Sequence, residues 1–189
     1  TIESLNELKP SFEELGKNGV DDLQLNYFPQ IKSISHVHTA GNSPAMADAA
    51  ALTLLSNSNN SSSNKVQARA IIKDIAVIND DPLLVLSGCV KATQELLKKT
   101  QLTVNDVDLF EIHEAFASTI IFAQRKLKIP EEKLNVNGGC IALGHPMGAT
   151  GSIMLSSLID EMERQDLKTG IVATSGAAGA GTALLIERL

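Results

Sequence analysis

Residues 135–151 read NVNGGCIALGHPMGATG, and residues 170–187 read GIVATSGAAGAGTALLIE. Nine of the 13 glycines lie from Gly138 onward, five of them in the first stretch. Glycine permits positive φ and close backbone approach, so their density marks tight turns around a site. Directly behind them Ile153, Met154, Leu158 and Met162 recur at core spacing, predicting a helix from about Gly148 to Gln165. In the second stretch, Gly170–Thr174 and Ala183–Glu187 read as apolar strands with only Gly176–Gly181 between them. Two strands that close together predict an antiparallel hairpin.

Working backward, Val107–Ile112 reads as a buried strand with acidic residues at its ends, preceded by a short cap at Thr103–Asp106. Ala115–Leu127 reads as an amphipathic helix closed by Pro130. Ser87–Lys99 carries Val90, Thr93, Leu96 and Leu97 on one side and lysines at its end, where the helix dipole favours cations. Ala68–Ile78 (ARAIIKDIAVI) reads as a long strand stopped by Asp80-Asp81-Pro82, and Ala49–Leu55 as a short buried strand. Between them, Ser56–Asn64 contains only Ser and Asn and cannot build a core; it reads as a tolerated surface-loop insertion rather than a modification site. Thr1–Ser35 has helical spacing at Ile2, Leu5, Leu8 and Phe12, but Pro10, Gly16 and Gly19 interrupt it, and it reads as a mostly irregular lead-in. The expected division is a lead-in over 1–36 and a body over 37–189. Strands alternating with helices and ending in a hairpin predict an α/β fold with a mixed five-stranded sheet.

The 189 residues, 43% hydrophobic and 20% charged, fit one globular domain with an appendage. Net charge is -6 and the 16 Lys and Arg are scattered, while aromatics make up 3% with no Trp and one tyrosine, Tyr27. Both features argue against a nucleic-acid partner. No apolar run approaches the ~18 residues of a membrane span. Two cysteines, Cys89 and Cys140, form neither a disulfide framework nor a metal quartet. Their use suggests a reducing, cytoplasmic compartment, or a mitochondrion or peroxisome in a eukaryote. The chain opens on Thr1 with no signal-peptide pattern, and reads as part of something longer.

Two clusters carry candidate chemistry. His145, in Leu143-Gly144-His145-Pro146, sits on a glycine turn before a helix, where an imidazole can act as general base or hydrogen-bond donor. The bland alternative is that Gly144 and Pro146 turn the chain and His145 is incidental. The second cluster, Glu111 to Ala117 (EIHEAFA), lies at a strand-to-helix junction, the place where α/β folds build sites. There Glu114 suits a helix N-terminus, and structural capping competes with a catalytic role. The zinc signature H-E-x-x-H is absent.

Together, HEAFA at His113–Ala117 and the glycine-histidine block resemble the thiolase family, the acyl-CoA:acetyl-CoA C-acyltransferases; His38–Ala50 (HTAGNSPAMADAA) is similar to the block opening that family's C-terminal half. The resemblance covers roughly Val37 to Leu189, and residues 1–36 resemble the tail of the family's loop domain. It implies a thiolase-like half, with the nucleophilic cysteine on a missing N-terminal half. It also implies acyl-CoA or coenzyme A as ligand, a coenzyme A thioester as substrate with no further cofactor or metal, and a homodimer or tetramer. By resemblance, His145 activates the nucleophile and binds the thioester oxyanion. His113 replaces the asparagine that holds a water in that oxyanion hole, as in the branch of the trifunctional-enzyme β-subunit. Ser175 stands where the family carries its second catalytic cysteine; Ala177 and Gly144 supply backbone to the oxyanion holes. Asn42, Ser43 and Pro44 fall near the coenzyme A arm, Pro44 in place of a frequent serine. Cys89 and Cys140 are expected to be structural. The expected function is the C-terminal half of a thiolase-family acyltransferase, impaired by serine at 175. The alternatives are a non-catalytic acyl-CoA- or lipid-binding relative or partner subunit, and a ketoacyl-synthase-like condensing enzyme.

Overall fold

The computed structural model describes residues 1–57 and 67–189. The Ser/Asn tract expected as a loop lies, beyond Ser56 and Asn57, outside the described residues. At the centre is a mixed sheet of β1 (Ala70–Asn79), β2 (Leu109–Ile112), β3 (Thr169–Ser175) and β4 (Ala180–Arg188), in the order β1-β4-β3-β2. β4 is antiparallel to both neighbours and β2 is parallel to β3. The expected hairpin forms, with Ser175 opposite Gly181 at its closed end.

The α/β class agrees with the sequence reading, but the sheet has four strands among the described residues, not five. Ala49–Leu55 is without regular structure, and Leu52, Leu54 and Leu55 are exposed. An apolar run becomes a strand only where a ladder accepts its N–H and C=O groups, and β1 already holds the edge beside β4. A bulge at Lys73, between the pairs Ile72–Ile186 and Asp74–Leu185, disrupts that edge.

The lead-in is also more helical than expected, with α1 (Ile2–Asn6), α2 (Glu13–Leu15) and α3 (Asp21–Tyr27). A cap supports the first of them and first-turn charge the third. The Thr1 side chain accepts the Ser4 N–H ahead of α1, and Asp21 and Asp22 occupy the positive first turn of α3. No residue of these three helices is buried.

The remaining helices are α4 (Gly88–Thr100), α5 (Ala117–Leu127), α6 (Cys140–Leu143) and α7 (Thr150–Arg164). Because side chains alternate along a strand, the sheet sorts its apolar residues to two sides. Phe110, Ile112, Ile171, Ala173, Ala183 and Leu185 pack with Leu96 of α4 and Ala123 of α5. Leu109, Val172 and Ile186 pack with Met154, Leu158 and Met162 of α7. Helices α4 and α5 end on Gln101 and Lys128, and Asp166 follows α7; all three have φ of 57–58°. In each case the next residue donates back, Leu102 to Leu97, Ile129 to Gln124 and Leu167 to Met162, closing the helix end. Helix α7 thus covers one side of the sheet and α4 and α5 the other, leaving the C-terminal ends of β2 and β3 to carry the site.

Candidate active site

His113 follows β2 directly, and its N–H donates to the Ala173 carbonyl at 2.9 Å, extending the ladder by one residue. Its ring is buried, and Nε2 has no hydrogen-bond partner. Burial pushes the His113 pKa below its ordinary value and the neighbouring His145 adds to this, while the Ser175 backbone and Glu114 pull the other way. The group is therefore a neutral imidazole at pH 7, able to donate or accept but carrying no charge.

His145 arrives from the opposite direction. Gly144, at φ 91°, ends α6, and the turn is tied down by the His145 N–H, which donates to the Ala45 carbonyl at 2.8 Å. Nδ1 of His145 lies 2.8 Å from Oγ1 of Thr150, the buried first residue of α7. With Thr150 accepting, Nδ1 carries the proton and Nε2 is left with its lone pair, the form a general base needs. The two imidazoles are neighbours, with ring centroids 4.6 Å apart.

What holds these two loops together is a stitch between the two sequence clusters. Asn135 accepts the Ile112 N–H through Oδ1 at 2.7 Å; its Nδ2 donates to the Ile112 carbonyl at 2.8 Å and to Glu114 at 2.9 Å. Glu114 also accepts the Ile141 N–H at 3.1 Å, and a Cβ on Gly139 would sit 2.4 Å from its carboxyl carbon. Glu114 is thus a capping residue, but of α6 rather than of the helix that follows it in sequence. Glu111, inside β2, is buried, and its carboxyl is pushed up to about 8 by desolvation, then by Glu114 and Glu161.

Cys140 was not expected at the site. It opens α6, and its Sγ lies with one ring nitrogen each of His113 and His145 in a group whose members are all within 4.8 Å of one another. Burial pushes its thiol pKa up, so it stays protonated at neutral pH. Nothing in the local sequence points there: Sγ donates to the Glu114 carbonyl at 3.6 Å and the Ile141 N–H to the Glu114 carboxylate, bonds between segments distant in sequence.

Ser175 ends β3, with its backbone at the His113 ring. Its hydroxyl, however, is turned to α4, where Oγ accepts the Cys89 N–H at 2.9 Å. Two glycines allow this: a Cβ on Gly181 would fall 2.1 Å from the Gly88 carbonyl oxygen, and one on Gly88 2.1 Å from that of Ala180. Cys89 is fully buried, and burial raises its pKa against the hydrogen bond from Ser175. Ala177 opens a single 3-10 turn past Ser175, where a first-turn N–H has no intrahelical acceptor. Asn42 has its side chain committed to its own loop, accepting from Thr39 N–H and donating to the Val37 carbonyl, while its carbonyl accepts the Ala117 N–H at the start of α5. Ser43 Oγ donates weakly to Asn42, at 3.4 Å, and Pro44 precedes the Ala45 carbonyl that anchors His145. The structure thus brings His113, His145 and the Ser175 backbone together, adds Cys140, and turns the Ser175 hydroxyl and the Asn42 amide to structural bonds.

Residues 66–188 match the family described as the thiolase C-terminal domain. The whole chain is 35% identical over 192 residues to a 3-ketoacyl-CoA thiolase of Klebsiella pneumoniae, covering 45% of that protein. It is 35% identical over 190 residues to the peroxisomal 3-ketoacyl-CoA thiolase 1 of Arabidopsis thaliana, covering 38% of it. Among solved structures, the acetyl-CoA acetyltransferase of Bacillus anthracis superposes on the entire chain with a TM-score of 0.84 at 33% identity, over 43% of its own length. The chain spans less than half the length of these relatives. Among the described residues no helix is long and apolar enough to cross a membrane.

Proposed function

The chain belongs to the thiolase family, and on that premise we propose that it is the C-terminal half of an acyltransferase acting on acyl-CoA and acetyl-CoA thioesters. The observation that carries this reading is the pair of imidazoles 4.6 Å apart, with His145 Nδ1 held by Thr150. In this reading a nucleophilic cysteine comes from an N-terminal half that completes the enzyme. His145 Nε2 takes its proton, and the thiolate attacks the thioester carbonyl. The resulting oxyanion is met by His113, neutral and buried, which donates to it directly when its proton sits on Nε2 and otherwise holds at Nε2 a water that donates to it. Donors of this kind lower such a barrier by ~3–4 kcal/mol. The Ala177 N–H serves the second oxyanion, and the segment Asn42–Pro44 borders the coenzyme A arm with backbone rather than with the Asn42 amide. Coenzyme A thioesters are the substrates and no further cofactor is needed. We assign residues 1–36 to the end of a loop domain and 37–189 to the catalytic half, place the protein in a reducing cytoplasmic compartment, and expect a homodimer or tetramer once both halves are present.

Serine at 175 limits the chemistry. A thiol near pKa 8.5 can exchange the α-proton of acetyl-CoA, whereas the Ser175 hydroxyl is a far weaker acid and already accepts the Cys89 N–H. Carbon–carbon bond formation therefore falls below thioester cleavage. That same bond supports a second reading, a non-catalytic acyl-CoA-binding subunit in which Ser175 is purely structural. Joined to an N-terminal half bearing the nucleophile, Ser175→Cys is expected to raise α-deuterium exchange into acetyl-CoA and acetoacetyl-CoA formation by roughly 10²–10⁴. Exchange in the unmodified protein as fast as in the variant would overturn the assigned role of Ser175; no gain together with intact acyl-CoA binding would favour the binding subunit.

A further inference from the structure

We propose that His113, Cys140 and His145 form a binding site for a thiophilic divalent cation of the zinc class, taken up as a two-histidine, one-cysteine set with its fourth position open. One ligand atom from each residue lies within 4.8 Å of the other two. Zinc–nitrogen and zinc–sulfur bonds of about 2.0–2.3 Å place tetrahedral ligands about 3.4–3.6 Å apart, so each atom moves by less than roughly 1 Å to close on an ion.

Two further observations point to a ligand independently of that proximity. The buried His113 Nε2 has no partner in the chain, an orphaned polar atom of a kind that folded proteins rarely leave. His145 is held as metal-bound histidines are, one ring nitrogen tied to a neighbouring oxygen, here Thr150 Oγ1, which fixes the ring. The three residues also stand on fixed elements: the end of β2, the first residue of α6, and the turn before α7. The Glu114–Ile141 and Asn135–Ile112 bonds fix the first two relative to each other. Binding converts the Cys140 thiol to a metal thiolate and releases its proton to solvent, with no change of oxidation state. Three protein ligands plus an open position match zinc sites that accept an exogenous ligand rather than closed structural ones.

This inference goes beyond acyl transfer and does not depend on it: a bound ion occupies both imidazoles, so metal and thioester exclude one another. The test uses the chain stripped with a chelator, with cobalt(II) as probe and no thioester present. One cobalt per chain is expected, giving a thiolate-to-cobalt charge-transfer band and tetrahedral ligand-field bands that zinc displaces. Cys140→Ala and the nearly isosteric Cys140→Ser should both lose the charge-transfer band and weaken zinc binding more than roughly 100-fold. Thr150→Val should weaken it about 10–100-fold, the range for loss of a supporting hydrogen bond. Cys89→Ala should leave the band in place. Absence of the band in the unmodified chain, its survival in either Cys140 variant, or its loss in Cys89→Ala overturns the proposal. Because no thioester is present, a negative result leaves the acyltransferase reading untouched, and an inactive assembled enzyme leaves a positive one standing.

Discussion

Residues 1–57 and residues 67–189 obey different rules. Among the described residues, every buried apolar residue of the core lies at Ala76 or beyond, whereas Leu52 is 93% and Met46 83% exposed. Residues 1–57 nevertheless touch the site at several points. Ala45 anchors the His145 turn, Asn42 accepts from the start of α5, His38 bonds to Ser118, and the Phe12 ring packs edge-on against Phe116. The later region is therefore held by burial and the earlier one by a few directed contacts. An arm that frames a site without burying its own leucines contributes shape rather than stability.

The largest test of that contrast is a pair of truncations. Phe110→Ala empties the centre of the core and should cost about 3–5 kcal/mol, while Leu52→Ala should stay within about 0.5 kcal/mol. Urea unfolding measures both; comparable losses would erase the distinction.

Acidity sharpens the comparison next. The buried Glu111 titrates at about 8 when folded against 4.5 when free, so the folded state holds the extra proton between these values. Its contribution is intact below pH 4.5 and is lost as pH rises toward 8. Full linkage over that interval approaches roughly 5 kcal/mol. Glu111→Gln should therefore stabilise the chain at pH 8 by on the order of 2–3 kcal/mol and by little at pH 4.5. His113 runs the opposite way. Its folded pKa lies below 6.5, so its contribution is present above pH 6.5 and fades as pH falls toward the folded value. Urea midpoints across pH 4.5–8.5 read both slopes; a Glu111→Gln profile parallel to that of the unmodified chain would show that Glu111 does not govern it.

The smallest effect belongs to the arm. Asn42→Ala removes the bonds to Thr39 and Val37. Global stability should change by less than about 1 kcal/mol, yet amide exchange over residues 37–46 should accelerate while β3 and β4 stay protected. Uniform acceleration would mean that arm and sheet unfold as one unit.

The same division explains what was legible in the sequence. β1, the β3–β4 hairpin and helices α4, α5 and α7 were readable because periodicity and self-contained burial agree there. Ala49–Leu55 misled for the converse reason: apolar composition alone supplies no ladder partner for the backbone N–H and C=O groups. The lead-in hides its short helices because a Thr1 cap and the first-turn charge of Asp21 and Asp22 support them, without a core behind them. At the site, His113 and His145 stood out through their motifs, but Cys140 did not. Its Sγ donates to the carbonyl of Glu114, 26 residues earlier, and no local pattern records that contact.

The three long helices close alike, on Gln101, Lys128 and Asp166 in or just beyond the final turn, each in the left-handed conformation that glycine adopts freely and other residues resist. All three belong to the scaffold rather than to the histidine cluster. Heat tolerance and chemistry are thus separable in this protein. Its melting point can drift over evolutionary time, or be engineered, through helix ends alone, while the geometry around His113 and His145 stays as it is.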